Sequence, residues 1–154
     1  KEFLMGELFN PANFNLGPHL AALLTAYVLA LPIGWNREQE ERSAGIRTFP
    51  LVAVACCGFV QAAESLVAEH RVIEGLITGM GFIGGGAILK VKNSVKGTAT
   101  AASLWVTGAI GVAVALESLD VAVMLTLMTF VTLYLLAPLK KMVDPDAATN
   151  REEE

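Results

Sequence analysis

The chain is poor in charged residues and in residues that support catalysis. Only 17% of its 154 residues are charged, whereas a soluble domain carries about 25%. Its two cysteines, Cys56 and Cys57, are adjacent and cannot form an ordinary structural disulfide with each other. The two histidines, His19 and His70, are far apart in sequence, and the Walker A pattern is absent. These absences exclude a disulfide scaffold and argue against a water-soluble or metal-dependent catalyst, so we expect no enzymatic activity.

The hydrophobic residues, 54% of the chain, are concentrated in five long stretches. A helix needs about 20 mostly apolar residues to cross the hydrocarbon core, and lipid offers no partner to open backbone groups. We therefore predict an all-α integral membrane protein, a compact bundle of five transmembrane helices within residues 19–139. Residues 1–18 are then an extracytoplasmic N-terminal segment and residues 140–154 a cytoplasmic tail. The predicted spans are 19–35, 48–63, 72–91, 99–116 and 121–139.

The basic residues are divided unevenly between the two sides of this predicted bundle. Nine of the eleven fall on one side, which we call the basic end, and only Lys1 and Arg71 fall on the other. Because cytoplasmic loops carry an excess of Lys and Arg, we predict an N-terminus outside and a C-terminus in the cytoplasm. The nine residues are Arg37, Arg42, Arg47, Lys90, Lys92, Lys96, Lys140, Lys141 and Arg151.

The third span is dense in glycine. Part of it formally matches a dinucleotide-binding fingerprint, but that fingerprint needs a preceding strand and an acidic residue about 20 positions on, where this chain has Leu104. Close helix packing through pairs of small residues four positions apart is the favoured interpretation. The alternative is a helix broken at residues 84–86 whose carbonyls face a cavity, as in transporters. The glycines are Gly75, Gly79, Gly81, Gly84, Gly85 and Gly86.

Small residues also recur in the first and fourth spans, where they permit close helix contact. We predict that the first, third and fourth spans form the tight centre of the bundle or a dimer contact. The fifth span, rich in large apolar side chains, is predicted to face lipid. The first span carries Ala22, Ala26, Ala30 and Gly34, and the fourth carries Gly108 and Gly111, with Trp105 as a further packing or cavity-lining candidate.

The linker between the first two spans is the densest polar segment, and it has two interpretations. The first is a solvated cytoplasmic loop that follows the positive-inside rule. The second is a network of arginine and glutamate that closes the basic end of the bundle, with Arg37, Glu38, Arg47 and Thr48 as its members. We expect Thr48 to cap the second helix and Pro50 to be tolerated in its first turn.

Carboxylates are absent from the middle of every predicted span, which weakens the case for a pump. Mg²⁺ prefers six oxygen ligands and usually binds through one or two carboxylates and several waters. Glu64 and Glu74 lie near the outer ends of their spans and are candidates for a cation mouth, or simply sit in water at the interface. Thr100, near the start of the fourth span, is a further polar candidate.

Four motifs together resemble the MgtC/SapB family. They are Gly34-x-x-Arg37-Glu38, the segment from Ala44 to Thr48 (AGIRT), the segment from Gly79 to Gly86 (GMGFIGGG), and Gly97-x-x-Thr100 followed by AASLW. The resemblance implies a five-span bacterial inner-membrane protein, often with a cytosolic C-terminal domain. It also implies roles in growth at low Mg²⁺ and in intracellular survival, with membrane ATPases and small regulatory peptides as partners. Two positions depart from the family pattern, because Asn36 replaces an acidic residue and Ala99 replaces a threonine.

We therefore expect a multi-pass protein of the bacterial inner membrane that is linked to Mg²⁺ homeostasis and regulates other membrane proteins. One alternative is a transporter or channel for Mg²⁺, another ion or a small solute, with a broken glycine-rich helix. A second alternative is a module that binds lipid or a small ligand. Mg²⁺ is the one cofactor considered, a homodimer is a further candidate assembly, and no nucleic-acid partner is expected.

Overall fold

The computed structural model describes residues 16–40, 44–63, 65–91 and 94–143 of the chain. The predicted N-terminal segment up to residue 15 and the tail from residue 144 lie outside this part. Five helices and one small hairpin follow each other in the described residues. They are α1 (Leu16–Gln39), α2 (Thr48–Gln61), α3 (Leu66–Gly86), β1 (Leu89–Val91), β2 (Ser94–Lys96), α4 (Thr98–Ala115) and α5 (Leu119–Val143).

The five helices correspond to the five predicted spans, so the α-helical membrane fold is confirmed. Three of them are long and apolar enough to cross a membrane by themselves, namely Leu16–Gln39, Thr98–Ala115 and Leu119–Leu136. Thr48–Gln61 is apolar but shorter. The helices give every backbone group inside them an internal partner, which is the requirement that lipid imposes.

The third span differs from its predicted bounds of 72–91. The helix begins earlier, at Leu66, because the hydroxyl of Ser65 accepts a hydrogen bond from the backbone N–H of Ala68 (3.2 Å) and caps it. It ends at Gly86, and Leu89–Val91 then pairs with Ser94–Lys96 as an antiparallel hairpin. The predicted end of the third span at residue 91 is therefore wrong, because Leu89–Val91 is a strand.

Gly97 joins the hairpin to α4 and needs to be glycine. Its φ is +92°, in the left-handed region that side chains disfavour. A Cβ at this position would also overlap the carbonyl oxygen of Ala87, which immediately follows α3. The chain therefore turns from the hairpin into α4 while passing directly against the end of α3.

α4 is the central helix, and it packs against all four of the others. Its largest interface is with α2, while α1 packs against α2, α5 and α4. α3 is held mainly by α4 and touches α2 only slightly. The predicted contact between the small-residue ladder of the first span and the glycine-rich third span is therefore wrong, since α1 and α3 make no substantial contact. Ala26, Ala30 and Gly34 are buried, as expected for a packing stripe, but against different helices.

Polar side chains within α4 are buried without disturbing the apolar core. The hydroxyl of Ser103 donates to the carbonyl of Ala99 at 2.7 Å, and that of Thr107 donates to the carbonyl of Ser103 at 2.8 Å. Hydrogen bonds to the carbonyl four residues earlier satisfy a hydroxyl that has no access to water. α4 can therefore be central although it carries several polar residues.

Candidate functional site

The end of α1 and the start of α2 are folded tightly together at the basic end. A Cβ placed on Gly34 would lie 3.1 Å from Cα of Ile46 and 3.3 Å from Cβ of Phe49. This approach is possible because glycine brings no side chain of its own. We call this contact region, formed by residues Gly34, Arg37, Glu38, Gly45 and Ile46, the α1–α2 closure.

Glu38 ties the returning chain to α1. Its Oε2 accepts a hydrogen bond from the backbone N–H of Ile46 at 3.0 Å, and its side chain packs directly over Gly45. The carbonyl of Gly45 in turn accepts hydrogen bonds from the N–H groups of Thr48 (3.0 Å) and Phe49 (3.2 Å). Glu38 thus accepts a hydrogen bond that holds the segment before α2 against the end of α1.

Arg37 is a buried charge with partners in its own chain. It is only 2% exposed, and its Nε and Nη2 donate to Oδ1 of Asn36 at 3.2 and 2.6 Å. Nη2 also lies 3.4 Å from a carboxylate oxygen of Glu40. A buried guanidinium is stable only when paired in this way. Asn36, which departs from the family pattern, keeps the acceptor oxygen but not the negative charge, and Glu40 supplies a charge instead.

The expectation that Thr48 caps α2 is wrong. The N-cap residue is Arg47, which has helical backbone angles and makes no side-chain cap hydrogen bond, and Thr48 is already inside the helix. The carbonyl of Gly45 accepts the first N–H groups of the helix instead of a side chain. Pro50 lies in the first turn, as expected, and is buried.

The structure brings four of the predicted polar residues to one place and the others elsewhere. Arg37 and Glu38 are members of the closure and make its side-chain contacts, whereas Arg47 and Thr48 follow it at the start of α2, where Arg47 is exposed. Thr100 is buried in the first turn of α4. Glu74 is exposed on α3, and Glu64, its proposed partner in a cation mouth, lies outside the described residues. Within the described ranges, no group of three or more potential metal-ligating acids, histidines or cysteines is present.

Four of the predicted packing glycines make close contacts inside the chain. Besides Gly34, a Cβ on Gly84 would lie 3.4 Å from the carbonyl oxygen of Ala101. One on Gly108 would lie 3.0 Å from Cγ of Met80. One on Gly111 would overlap the carbonyl oxygen of Ala53. Gly84, Gly108 and Gly111 therefore set the spacing of α4 from α3 and from α2.

The other glycines of α3 face away from the bundle. A Cβ added to any of them would meet no atom within 4 Å beyond the helix's own backbone. Successive residues rotate by about 100° around a helix, so these positions share the half of α3 opposite the side that carries Met80 and Gly84. We call them the outer glycines of α3: Gly75, Gly79, Gly81, Gly85 and Gly86.

The structure does not contain the alternative, a helix broken at residues 84–86. α3 is continuous to Gly86 and ends there. The N–H groups of Ala87 and Ile88 donate to the carbonyls of Gly84 and Gly85, both at 3.1 Å. The carbonyl groups at this end of the helix are therefore used within the turn that leads to the hairpin.

A cavity of about 340 Å³ lies between α3, α4 and α5, and Trp105, predicted as a packing or cavity-lining residue, forms part of its wall. Cys56 of α2 lies on its inner wall, and Trp105 and Gly108 of α4 line it. The lining is almost entirely apolar. Since lipid-facing and cavity-lining residues of a membrane helix are equally apolar, no pattern in the sequence separates them.

Comparison with known proteins gives consistent matches across most of the chain. A profile of the MgtC family matches residues 23–142. Protein SrpB of Synechococcus elongatus is 36% identical over 146 residues, covering 84% of this chain and 80% of SrpB. Protein MgtC of Brucella abortus and the protein slr0014 of Synechocystis are each 35% identical over 130 residues. These alignments cover 82% and 81% of this chain but only 55% of either relative. No solved structure matches the chain.

Proposed function

Because this chain belongs to the MgtC family, we propose that it serves Mg²⁺ homeostasis in the bacterial inner membrane by binding and regulating other membrane proteins. The chain spans little more than half the length of the Brucella relative, so the proposal concerns the membrane domain. The observation that carries it is the unpartnered half of α3, formed by the outer glycines.

The outer glycines are suited to contact with a helix from another protein. Small residues four positions apart let two membrane helices approach until their backbones touch. Gly75 and Gly79 form one such pair, and Gly81 and Gly85 form another. Phe82, which is 87% exposed on the same side, supplies a large apolar side chain between them. A helix that packs here would gain contact area that lipid alone does not provide.

These glycines also carry a cost that packing inside the chain does not offset. A glycine in a helix is destabilising by roughly 0.5–1 kcal/mol relative to alanine. Five outer glycines therefore cost α3 about 2.5–5 kcal/mol, and none of them makes a contact in the chain that an alanine would prevent. Contact with a partner helix would explain why the positions hold glycine.

The contacts among the other four helices support a partner-binding role for α3. α1, α2, α4 and α5 share extensive interfaces, and the α1–α2 closure pairs its own charges. α3 is held mostly on one side, by α4. We therefore assign partner binding to α3 and a supporting role to the other four helices.

The proposal can be tested by photo-cross-linking in intact bacterial membranes. A photoreactive amino acid replaces Thr78, an exposed residue between the first pair of outer glycines, and the adducts are identified by mass spectrometry. We expect an adduct with a different membrane protein, whose yield falls at least tenfold in Gly79→Leu. Gly17→Leu is the matched control, because Gly17 of α1 is also a helical glycine in open space. Adducts with lipid alone, or a yield unchanged by Gly79→Leu, would contradict the proposal.

A transport role makes a different prediction. Proteoliposomes that contain only this chain would then show Mg²⁺ flux, and Glu74→Gln would reduce it. We expect no flux above that of empty liposomes. A flux that depends on Glu74 would replace the regulatory proposal with the transporter alternative.

A further inference from the structure

The cavity between α3 and α5 has the dimensions of a single hydrocarbon chain. Its lining extends along α4 from Trp105 to Leu116, eleven residues apart, which corresponds to about 16 Å of helix. The hydrocarbon core of a bilayer is about 30 Å thick, so the cavity is about as long as one leaflet is deep. Its volume is about 340 Å³, whereas a 16 Å length of helix about 10 Å across fills about 1,250 Å³. A helix about 10 Å across is too wide to enter.

The walls of the cavity select an apolar occupant. Ile73, Ile77 and Met80 of α3 face Val121 and Leu125 of α5 across it. Polar side-chain atoms come only from three lining residues, Cys56, Trp105 and Ser118. The hydroxyl of Ser118 already donates to the carbonyl of Leu116 at 3.4 Å. An apolar space of this kind does not hold ordered water, and one left empty loses dispersion contacts along its whole surface.

We propose that this cavity binds one acyl chain of a bilayer phospholipid, held between α3 and α5 against α4. The cavity is about half open, so a chain can enter from the surrounding leaflet without unfolding the bundle. α3 and α5 share no substantial interface of their own. The bound chain therefore supplies the contact that joins them. This site lies on the inward side of α3, and it stands independently of the proposed partner contact at the outer glycines.

The two tryptophans of the chain provide a direct measurement. Trp105 lines the cavity and is 47% exposed, whereas Trp35 of α1 is 57% exposed and lies outside it. Trp35→Phe and Trp105→Phe each leave one reporter, which is reconstituted in phosphatidylcholine vesicles containing increasing fractions of acyl-brominated phosphatidylcholine. Bromine quenches tryptophan on contact. Because brominated and plain lipid compete equally for one site, we expect the quenching of Trp105 to rise in proportion to the brominated fraction. Trp35, which meets several annular lipids, should reach half-maximal quenching at an about twofold lower fraction.

A cavity-filling substitution separates a bound chain from the general annulus. Ala109→Phe places a ring in the cavity, whereas Ala102→Phe adds the same ring to an exposed position of the same helix. In the Trp35→Phe background, we expect Ala109→Phe to shift the quenching of Trp105 to the value of Trp35, and Ala102→Phe to leave it unchanged. Native mass spectrometry in detergent should find one retained phospholipid on the unmodified chain and on Ala102→Phe, and none on Ala109→Phe.

Two results would overturn the assignment. One is equal quenching of Trp105 and Trp35 at every brominated fraction, which would mean that Trp105 meets only annular lipid. The other is quenching of Trp105 that falls as the protein-to-lipid ratio rises, which would mean that a second copy of the chain occupies the cavity. Heating in the presence of a thiol-reactive dye checks that Ala109→Phe is folded. Cys56 and Cys57 are buried in the folded bundle, so they should react only when it unfolds.

Discussion

Replacing Gly111 with alanine is expected to force apart the largest helix interface of the bundle. The added Cβ would overlap the carbonyl oxygen of Ala53 and lie 3.0 Å from both the carbonyl carbon of Ala53 and Cβ of Cys56. Because two of these atoms belong to the backbone of α2, they cannot rotate away, and the helices must separate. Overpacking of this kind costs roughly 1–3 kcal/mol, and we take about 3 kcal/mol here because backbone is involved. Alanine is more favourable than glycine in a helix by about 1 kcal/mol, so the net loss in the free energy of unfolding is about 2 kcal/mol.

The two cysteines make this loss measurable in detergent. Cys56 and Cys57 are free and buried, so a maleimide dye reacts with them only when the bundle opens on heating. A loss of about 2 kcal/mol in the free energy of unfolding should lower the midpoint temperature of the dye reaction by about 4–8 °C for a chain of this length. Because the substitution lies beside Cys56, the loss of soluble protein after heating, measured by size-exclusion chromatography, serves as a second readout.

Gly79→Ala is the control for the same chemical change in open space. No atom lies within 4 Å of its Cβ position, so only the gain in helix propensity applies, and the midpoint should stay the same or rise. The reasoning is refuted if Gly111→Ala melts at or above Gly79→Ala in both readouts.

Two further substitutions test the basic end and the turn into α4 by the same melting measurement. Arg37→Met removes a buried guanidinium and leaves Glu40 without this ion pair, so we expect a loss of about 2–3 kcal/mol, whereas the exposed Arg47→Met should change stability by no more than about 0.5 kcal/mol. Equal effects of the two would contradict a structural role for the closure. Gly97→Ala introduces a Cβ at φ +92° against the carbonyl oxygen of Ala87 and should cost at least about 2 kcal/mol; an unchanged midpoint would mean that the turn can relax.

The number and kind of the helices could be predicted from the sequence because the membrane permits few solutions. An apolar stretch of sufficient length must satisfy its own backbone groups, and a helix does so within one segment. The bounds of the helices were less predictable where a helix continues into polar sequence or where an apolar stretch is not helical. α1 continues through Asn36 and Arg37 to Gln39, since a helix can extend beyond the apolar stretch when its polar residues find partners.

The end of the third span shows why hydropathy alone misplaces a boundary. Ile88 and Leu89 are apolar and exposed, so they read as part of the third span, yet they belong to the turn and hairpin that follow α3. Hydropathy reports the medium that a residue prefers and not the backbone conformation that it adopts. The start of α3 had a usable local signal, because Ser65 is a favourable N-cap residue.

The direction in which each glycine faces could not be predicted, for a physical reason. In water an amphipathic pattern identifies the buried face of a helix, but in lipid both faces of a helix are apolar. Gly84 and Gly85 are adjacent and identical in the sequence, yet a Cβ on the first would lie 3.4 Å from the carbonyl oxygen of Ala101, whereas one on the second would meet open space. A pair of small residues indicates that a helix can be approached closely, without indicating whether the approaching helix belongs to the same chain. Because an added Cβ at the outer glycines of α3 meets no atom of the described residues within 4 Å beyond the helix's own backbone, the helix that approaches them is expected to come from another protein.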